Sequence, residues 1–533
     1  MKLHFILGIF FLLNINSFIF SQQEKPSDGL HFAVLQGNLE AVNQHIKAGT
    51  DLNEKDQFGS TPLIIAATFG KTKIAEALIN AGADLNVTNN ELSTPLHIAS
   101  FFCRTEIVRA LLENGADKSL RNINGSTAFD IVDAPFEYDK DLYDKLAASL
   151  TPLGLKIDYD YLINTRPQIA EMLKIETEEL KEVTFTPLQR NDWKISTPEE
   201  QGLNPLLVSQ LFYDAASLET LYSLLVIKNG YLVAEKYFNN GSVDQLSKRA
   251  SVTKSYISAL TGIAVDKGYI KCIDQKMIEF FPEITDHITN PEKKKITIRQ
   301  MLQMRAGFPW EETDSVYWNA LWSGKYVHKI VDFPLTADPG TDFQYSNLTS
   351  NWLGIITTRA CGTDIKTFGQ KYLFDPLGVS VGNWPRDLDG YYIGSGDIEI
   401  TARDMAKFGQ LYLDNGLYEG KQLISSEWIE NSLKNYSGEI NSAGIKSGRV
   451  GRYFHNIGYG FQWWSAESGE HHFNYAAGHG GQFIIILKDL NMIIVTTADP
   501  FYGKEEHFRS WRYEQSIYNL VGKFIKSLPV KEE

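Results

Sequence analysis

Only three cysteines occur in 533 residues: Cys103, Cys272 and Cys361. They are odd in number and far apart, which excludes a disulfide framework and any metal-ligand spacing. They read as three buried small apolar side chains. Cations are in deficit too, with 51 Lys and Arg against 65 Asp and Glu and a net charge of -14. No long basic run is present, so the clustered cationic face that a nucleic-acid binder needs is missing. Beyond the N-terminus no apolar stretch is long enough to span a bilayer. No motif asks for a metal or cofactor.

The chain is long enough for two or more domains, and its apolar and charged fractions are those of a globular protein. Its N-terminus places Lys2 before an apolar core that is interrupted at Asn14 and Asn16 and gives way to Ser21. That pattern predicts a secretory signal peptide over residues 1–21, with a secreted or periplasmic destination.

A repeat comes next in the chain. Thr61-Pro62-Leu63 recurs as Thr94-Pro95-Leu96, and Thr127-Ala128-Phe129 is a weakened third copy. Gly49-Thr50-Asp51, Gly82-Ala83-Asp84 and Gly115-Ala116-Asp117 keep the same 33-residue step. The period and the run Thr94-Pro95-Leu96-His97-Ile98-Ala99 resemble ankyrin repeats. The expectation is an α-helical solenoid over residues 28–135, with incomplete end units as caps. His97 sits in the consensus, so it is expected to hydrogen-bond structurally. Residues 136–190 read as a helical connector, with Pro167 in the first turn of a helix starting at Arg166. They either extend the solenoid or pack on the C-terminal domain.

Ser251-Val252-Thr253-Lys254 carries the chemistry. It opens an apolar, helix-like stretch in which Ser251 and Lys254, three apart, share a face. A serine at a helix start also meets free backbone N–H groups that favour developing negative charge. Both are properties of an acyl-transfer nucleophile. Ser-x-x-Lys is common by itself, and two later segments give it meaning. They are Pro339-Gly340-Thr341-Asp342-Phe343-Gln344-Tyr345-Ser346-Asn347 and Ala477-Gly478-His479-Gly480-Gly481-Gln482.

Ser-x-x-Lys, then Tyr-Ser-Asn, then a basic residue before a glycine on a strand resembles the serine β-lactamase and penicillin-binding-protein superfamily. Order and spacing are most similar to its class C β-lactamase-like branch. That branch includes carboxypeptidases, D-amino-acid amidases, esterases and 6-aminohexanoate-oligomer hydrolases. The resemblance runs from about residue 190 to 525 and extends to Ile298–Gly307, Phe374–Gly378, Thr401–Gly409 and Gly458–Trp464. It implies an α+β domain over residues 191–530, with one antiparallel sheet built from both chain ends beside a helical region. The residues alone support part of this plan. Asn229-Gly230 joins two strand-like runs, and Gln482–Leu487 and Asn491–Thr497 flank a turn.

The resemblance implies an exported serine hydrolase acting on an amide or ester. Ser251 would be the nucleophile, and Lys254 and Tyr345 a coupled pair from which the base is drawn. Asn347 would hold the lysine and the acyl side of the substrate. The amides of Ser251 and Gln482 would bind the oxyanion beside Gly481. His479 stands where β-lactamases and carboxypeptidases usually carry lysine. Histidine is neutral over much of the physiological range, so it would grip a substrate carboxylate weakly, support the base pair or meet an uncharged substrate. A small-molecule or peptide-like substrate is implied, with no nucleic acid and no membrane span after signal removal. Two other readings stay open: a silent enzyme acting through an ankyrin-bound protein partner, and a penicillin-binding receptor. The solenoid could hold that partner or limit access to the cleft. The aromatic clusters at Trp310, Tyr317-Trp318, Trp322 and Trp463-Trp464 fit an acyl pocket or plain core packing.

Overall fold

The computed structural model describes residues 29–321, 325–440, 450–502 and 507–530. The expected signal peptide and Trp322 lie outside them. The chain divides into two compact units. One comprises the chain up to Thr177 with Gly451–Tyr453; the other comprises Glu178–Val450 and Phe454–Glu533.

The first unit is helical. Helices α1 (Leu30–Gln36) and α2 (Leu39–Lys47), α3 (Pro62–Phe69) and α4 (Thr72–Asn80), and α5 (Pro95–Phe101) and α6 (Thr105–Glu113) form successive pairs. The repeated threonine explains where each pair begins. Thr61, Thr94 and Thr127 are N-caps whose hydroxyls accept a backbone N–H of the first turn. Pro62 and Pro95 sit at the next position, where no N–H is needed. The 33-residue step also appears in the turns. Asp56, Asn89 and Asn122 each accept two backbone N–H groups through one side-chain oxygen. His97 bonds Thr94 through Nδ1 and the Ser126 carbonyl through Nε2, at 2.8 and 3.0 Å. Burial lowers its pKa to about 4, so it stays neutral and structural.

Helices α7 (Ala128–Asp133), α8 (Phe136–Leu150) and α9 (Tyr159–Leu173) bury Ile131, Tyr143, Leu146 and Ile169 in the same core as the repeats. The connector stretch thus continues the solenoid's core as far as Leu173. Pro167 is not in a first turn. It lies inside α9, which starts eight residues before it at Tyr159. Within this unit Arg452 bonds both carboxylate oxygens of Asp139 at 2.9 Å.

The second unit is built on a seven-stranded sheet. Its strands are β1 (Leu221–Lys228), β2 (Tyr231–Tyr237), β3 (His455–Tyr459), β4 (Trp464–Ser468), β5 (His471–Gly478), β6 (Gln482–Leu487) and β7 (Met492–Ala498). Their spatial order is β2-β1-β7-β6-β5-β4-β3, with β1 pairing antiparallel to β7 so that the two chain ends meet. The run Phe483–Leu487 is apolar throughout because both faces are covered. Ile484 and Ile486 enter a core with helices α10 (Thr253–Asp266) and α12 (Ala402–Leu413). Phe483 and Ile485 face the opposite core, which contains α13 (His507–Lys526). Helix α11 (Asn347–Cys361) packs against α10.

The cysteines are unpaired, but not all are buried. Cys103 is buried, Cys361 is half-buried at the end of α11, and Cys272 is exposed. Cys272 lies in the turn after α10, where Ile270 rather than the thiol anchors the chain. Among the described residues no helix is long and apolar enough to cross a membrane.

Candidate active site

Ser251 sits on a single 3-10 turn, Ala250–Val252, that runs directly into α10. The turn presents Ser251 half-exposed while α10 itself is buried along nearly its whole length. Lys254, one turn on, is 1% exposed. Its Nζ donates to Ser251 Oγ at 2.8 Å, to Asn347 Oδ1 at 2.8 Å and to the Ser395 carbonyl at 2.7 Å. Three acceptors match the three protons of an ammonium. Burial nevertheless lowers the Lys254 pKa to about 8, against an opposing pull from Glu312, Glu311 and Asp397. A neutral amine beside the serine is therefore accessible near physiological pH.

Tyr345 and Asn347 arrive together because Ser346 N-caps α11 through the Thr349 N–H. Asn347 is the first residue of the helix and Tyr345 is held just outside it. The Tyr345 ring centroid is 4.9 Å from Lys254 Nζ. Its phenol is buried, and burial pushes its pKa well above the ordinary value. Glu312, Glu311 and Glu514 add to that rise, while the hydrogen bond with Ser251 opposes it. The phenol is thus protonated at rest, and the amine is the easier of the two groups to find as a base. Trp464 stacks on the Tyr345 ring at 5.4 Å and Trp310 lies at 5.7 Å. Both tryptophans therefore frame the site as well as fill core.

His479, Gly480 and Gly481 form the turn between β5 and β6, not part of a strand as the sequence suggested. Gly480 and Gly481 have φ of +84° and +90°, a region open to glycine. Side chains there would also strike Pro500 and Ile517. His479 Nδ1 lies 2.9 Å from Glu514 Oε2, which also accepts the Gly480 N–H at 3.0 Å. The histidine is thereby tied to a carboxylate on α13.

Gln482 lies across the ladder from Gly478, and a Cβ on Gly478 would come within 3.2 Å of the Ser251 amide. The end of β5 at Gly478 is therefore pressed against the serine's backbone, with Gln482 paired beside it. The Gln482 side chain points elsewhere. It is fully buried, accepting from Arg249 Nη1 at 3.1 Å and donating to the Ala498 carbonyl at 2.7 Å. Ser251, Lys254, Tyr345 and Asn347 are thus joined in one cluster. Gly481 and Gln482 lie at the turn and strand end beside it, with His479 on the same turn.

Four contributors were not among the residues the sequence singled out. Arg249 links the serine turn to Gln482 through its buried guanidinium, Ser395 offers a carbonyl to Lys254, and Glu311 and Glu514 hold the Asn347 backbone and His479. Only Arg249, two residues before Ser251, had a local signal.

A family model described as beta-lactamase matches residues 222–519, more than half of the chain. The chain belongs to the beta-lactamase family. A model described as ankyrin repeats in three copies matches residues 30–122. The protein therefore joins ankyrin repeats to a beta-lactamase-family hydrolase domain. A 6-aminohexanoate-dimer hydrolase from Paenarthrobacter ureafaciens is 26% identical over 258 residues. That match covers 45% of this chain and 63% of the relative, less than two thirds of its length. Protein flp of Staphylococcus aureus is 29% identical over 146 residues, covering 25% of this chain and 28% of that protein. The octameric penicillin-binding protein homologue from Pyrococcus abyssi is 16% identical in structure-based comparison, with a TM-score of 0.43. It covers 59% of this chain and 76% of its own.

Proposed function

We propose that this protein is a serine hydrolase that cleaves an ester or amide through an acyl-Ser251 intermediate. The observation that carries the reading is the bond from Lys254 Nζ to Ser251 Oγ, in a buried site that brings the neutral amine within reach of physiological pH. In the forward step Ser251 Oγ attacks the substrate carbonyl carbon and its proton passes to Lys254. The oxyanion forms against the Ser251 and Gln482 amides. Collapse breaks the bond to the leaving group, which takes a proton through the Tyr345 hydroxyl. Water then repeats the sequence on the acyl-serine, releasing the acid and restoring Ser251.

Charge argues for a neutral or amine-bearing substrate over an anionic one. Lys254 already meets three acceptors and His479 is tied to Glu514, while Glu312, Asp397 and Glu514 all bear on the pair. A β-lactam carboxylate would find little to pair with. The similarity to a 6-aminohexanoate-dimer hydrolase is consistent with this choice. Export is proposed from the N-terminal pattern alone, and a protein partner on the repeats from their family.

The test is a panel of nitrophenyl esters, amine-bearing amides and a fluorescent penicillin, with Ser251→Ala as control. Ser251-dependent ester or amide turnover supports the reading. Stable penicillin labelling without turnover would replace it with a receptor. Tyr345→Phe is expected to lower kcat by about 100-fold, because it removes the proton relay but keeps the ring and its stacking. Equal turnover of small esters by Tyr345→Phe and parent would remove Tyr345 from the mechanism.

A further inference from the structure

Glu311 has no exposure and, among the described residues, no cationic hydrogen-bond partner, an unusual state for a carboxylate. It sits on a 3-10 turn, Glu311–Thr313, directly after the buried Trp310. Its Oε1 accepts from Ser346 Oγ at 2.8 Å and the Leu348 N–H at 3.2 Å. Its Oε2 accepts the Asn347 N–H at 2.9 Å. These three donors belong to the residues that start α11, the segment that delivers Tyr345 and Asn347. Glu312 continues the chain of contacts: its Oε1 lies 3.4 Å from Asn347 Nδ2. That contact orients the Asn347 amide so that Oδ1 faces Lys254.

The geometry points to Glu311 as a positioning residue: it anchors the Tyr345–Asn347 segment and, with Glu312, places negative charge behind the bond from Lys254 to Asn347. This role rests on the hydrolase reading above, but its physical content does not require turnover. Ordinary capping of α11 would need only a neutral acceptor, and Ser346 already supplies one to Thr349. A buried charge at this place is expensive, and what it gains is an anion near a buried ammonium. Burial raises the Glu311 pKa to about 7 while its backbone and Ser346 partners pull it down. It is therefore largely ionised where Lys254 titrates. The other carboxylates acting on Lys254 are Glu312 and Asp397, and those on Tyr345 are Glu312 and Glu514.

The test compares the full-length parent, Glu311→Gln and Glu311→Asp in two measurements. In the first, lysine is labelled with carbon-13 at Cε and Lys254 is followed by NMR across pH 5–11. Removing the anion favours the neutral amine, so the Lys254 midpoint is expected to fall by roughly half a pH unit or more in the Gln variant and to stay near the parent's in the Asp variant. In the second, ester kinetics are expected to show kcat lowered about tenfold or more in the Gln variant, with KM within about threefold and the acid limb moved to lower pH. A merely structural role would lower the melting temperature without moving either midpoint.

An unchanged Lys254 midpoint in a folded Gln variant overturns the proposal. Should that variant not fold, Ser346→Ala decides: it removes a donor to Glu311 Oε1 and keeps the charge, so kcat is expected to fall severalfold with the Lys254 midpoint near the parent's, and parental kcat overturns the anchoring role. Failure of the hydrolase reading looks different, because the parent would then show no Ser251-dependent turnover while the NMR result still stands.

Discussion

Lys254→Met is expected to lower kcat/KM for a nitrophenyl ester by roughly 1,000-fold or more, since the nucleophile loses the group that takes its proton. Methionine keeps most of the stem volume, so the loss isolates the amine. The change also strands Asn347 Oδ1 and the Ser395 carbonyl, both of which now accept from Nζ. Steady-state kinetics across pH 6–10 provide the check. The parent's acid limb should turn near pH 8, where the Lys254 proton is lost, and the variant should lack that limb. Activity within tenfold of the parent would mean that another group does the work.

The same substitution carries a signed stability effect. Burial places the folded Lys254 pKa at about 8, below the ordinary lysine value. The folded protein therefore holds this proton less tightly than the unfolded chain. The resulting destabilisation is fully present below pH 8 and fades as pH rises towards about 10.4, the unfolded value. The melting temperature of Lys254→Met relative to the parent should consequently fall between pH 7 and pH 10. A constant or rising difference would contradict the shifted pKa.

Gly478→Ala is expected to reduce kcat by roughly 100- to 1,000-fold, the usual effect of losing one oxyanion donor. The added methyl would lie 2.4 Å from the Arg249 carbonyl oxygen and 3.2 Å from the Ser251 amide. Both are backbone atoms that no rotamer change can move aside. The serine turn and the β5 end must therefore separate, taking the two amides out of register with a single oxygen. Ester kinetics, together with circular dichroism to confirm a folded chain, would show this. A folded variant with parental kcat would place the oxyanion site elsewhere.

The parts of this site legible in the sequence are those encoded by short spacing. Ser251 and Lys254 meet because a helix brings residues three apart onto one face. Tyr345 and Asn347 travel together because Ser346 caps the helix that Asn347 starts. The ankyrin step is visible because each repeat must re-cap its own helix with threonine. Glu311 is not legible: no motif marks it, and only the fold brings its carboxylate against the residues that start α11. The Glu514 contact to His479 spans 35 residues and two elements, beyond any local pattern. His479-Gly480-Gly481 reads as strand because an apolar strand comes directly after it, but two consecutive positive φ angles turn the chain there. Pro167 misleads for a related reason: proline favours first turns, yet the helix around it begins well upstream.

Everything turns on whether the Ser251 oxygen becomes covalently acylated. Rapid-quench mass spectrometry of the intact protein with a slowly hydrolysed activated ester, combined with peptide mapping, reads this directly. The expected result is one acyl group on the peptide containing Ser251, formed faster as pH rises through 8 and absent in Ser251→Ala. Ester turnover that persists in Ser251→Ala, or an adduct mapped to another residue, would contradict the account.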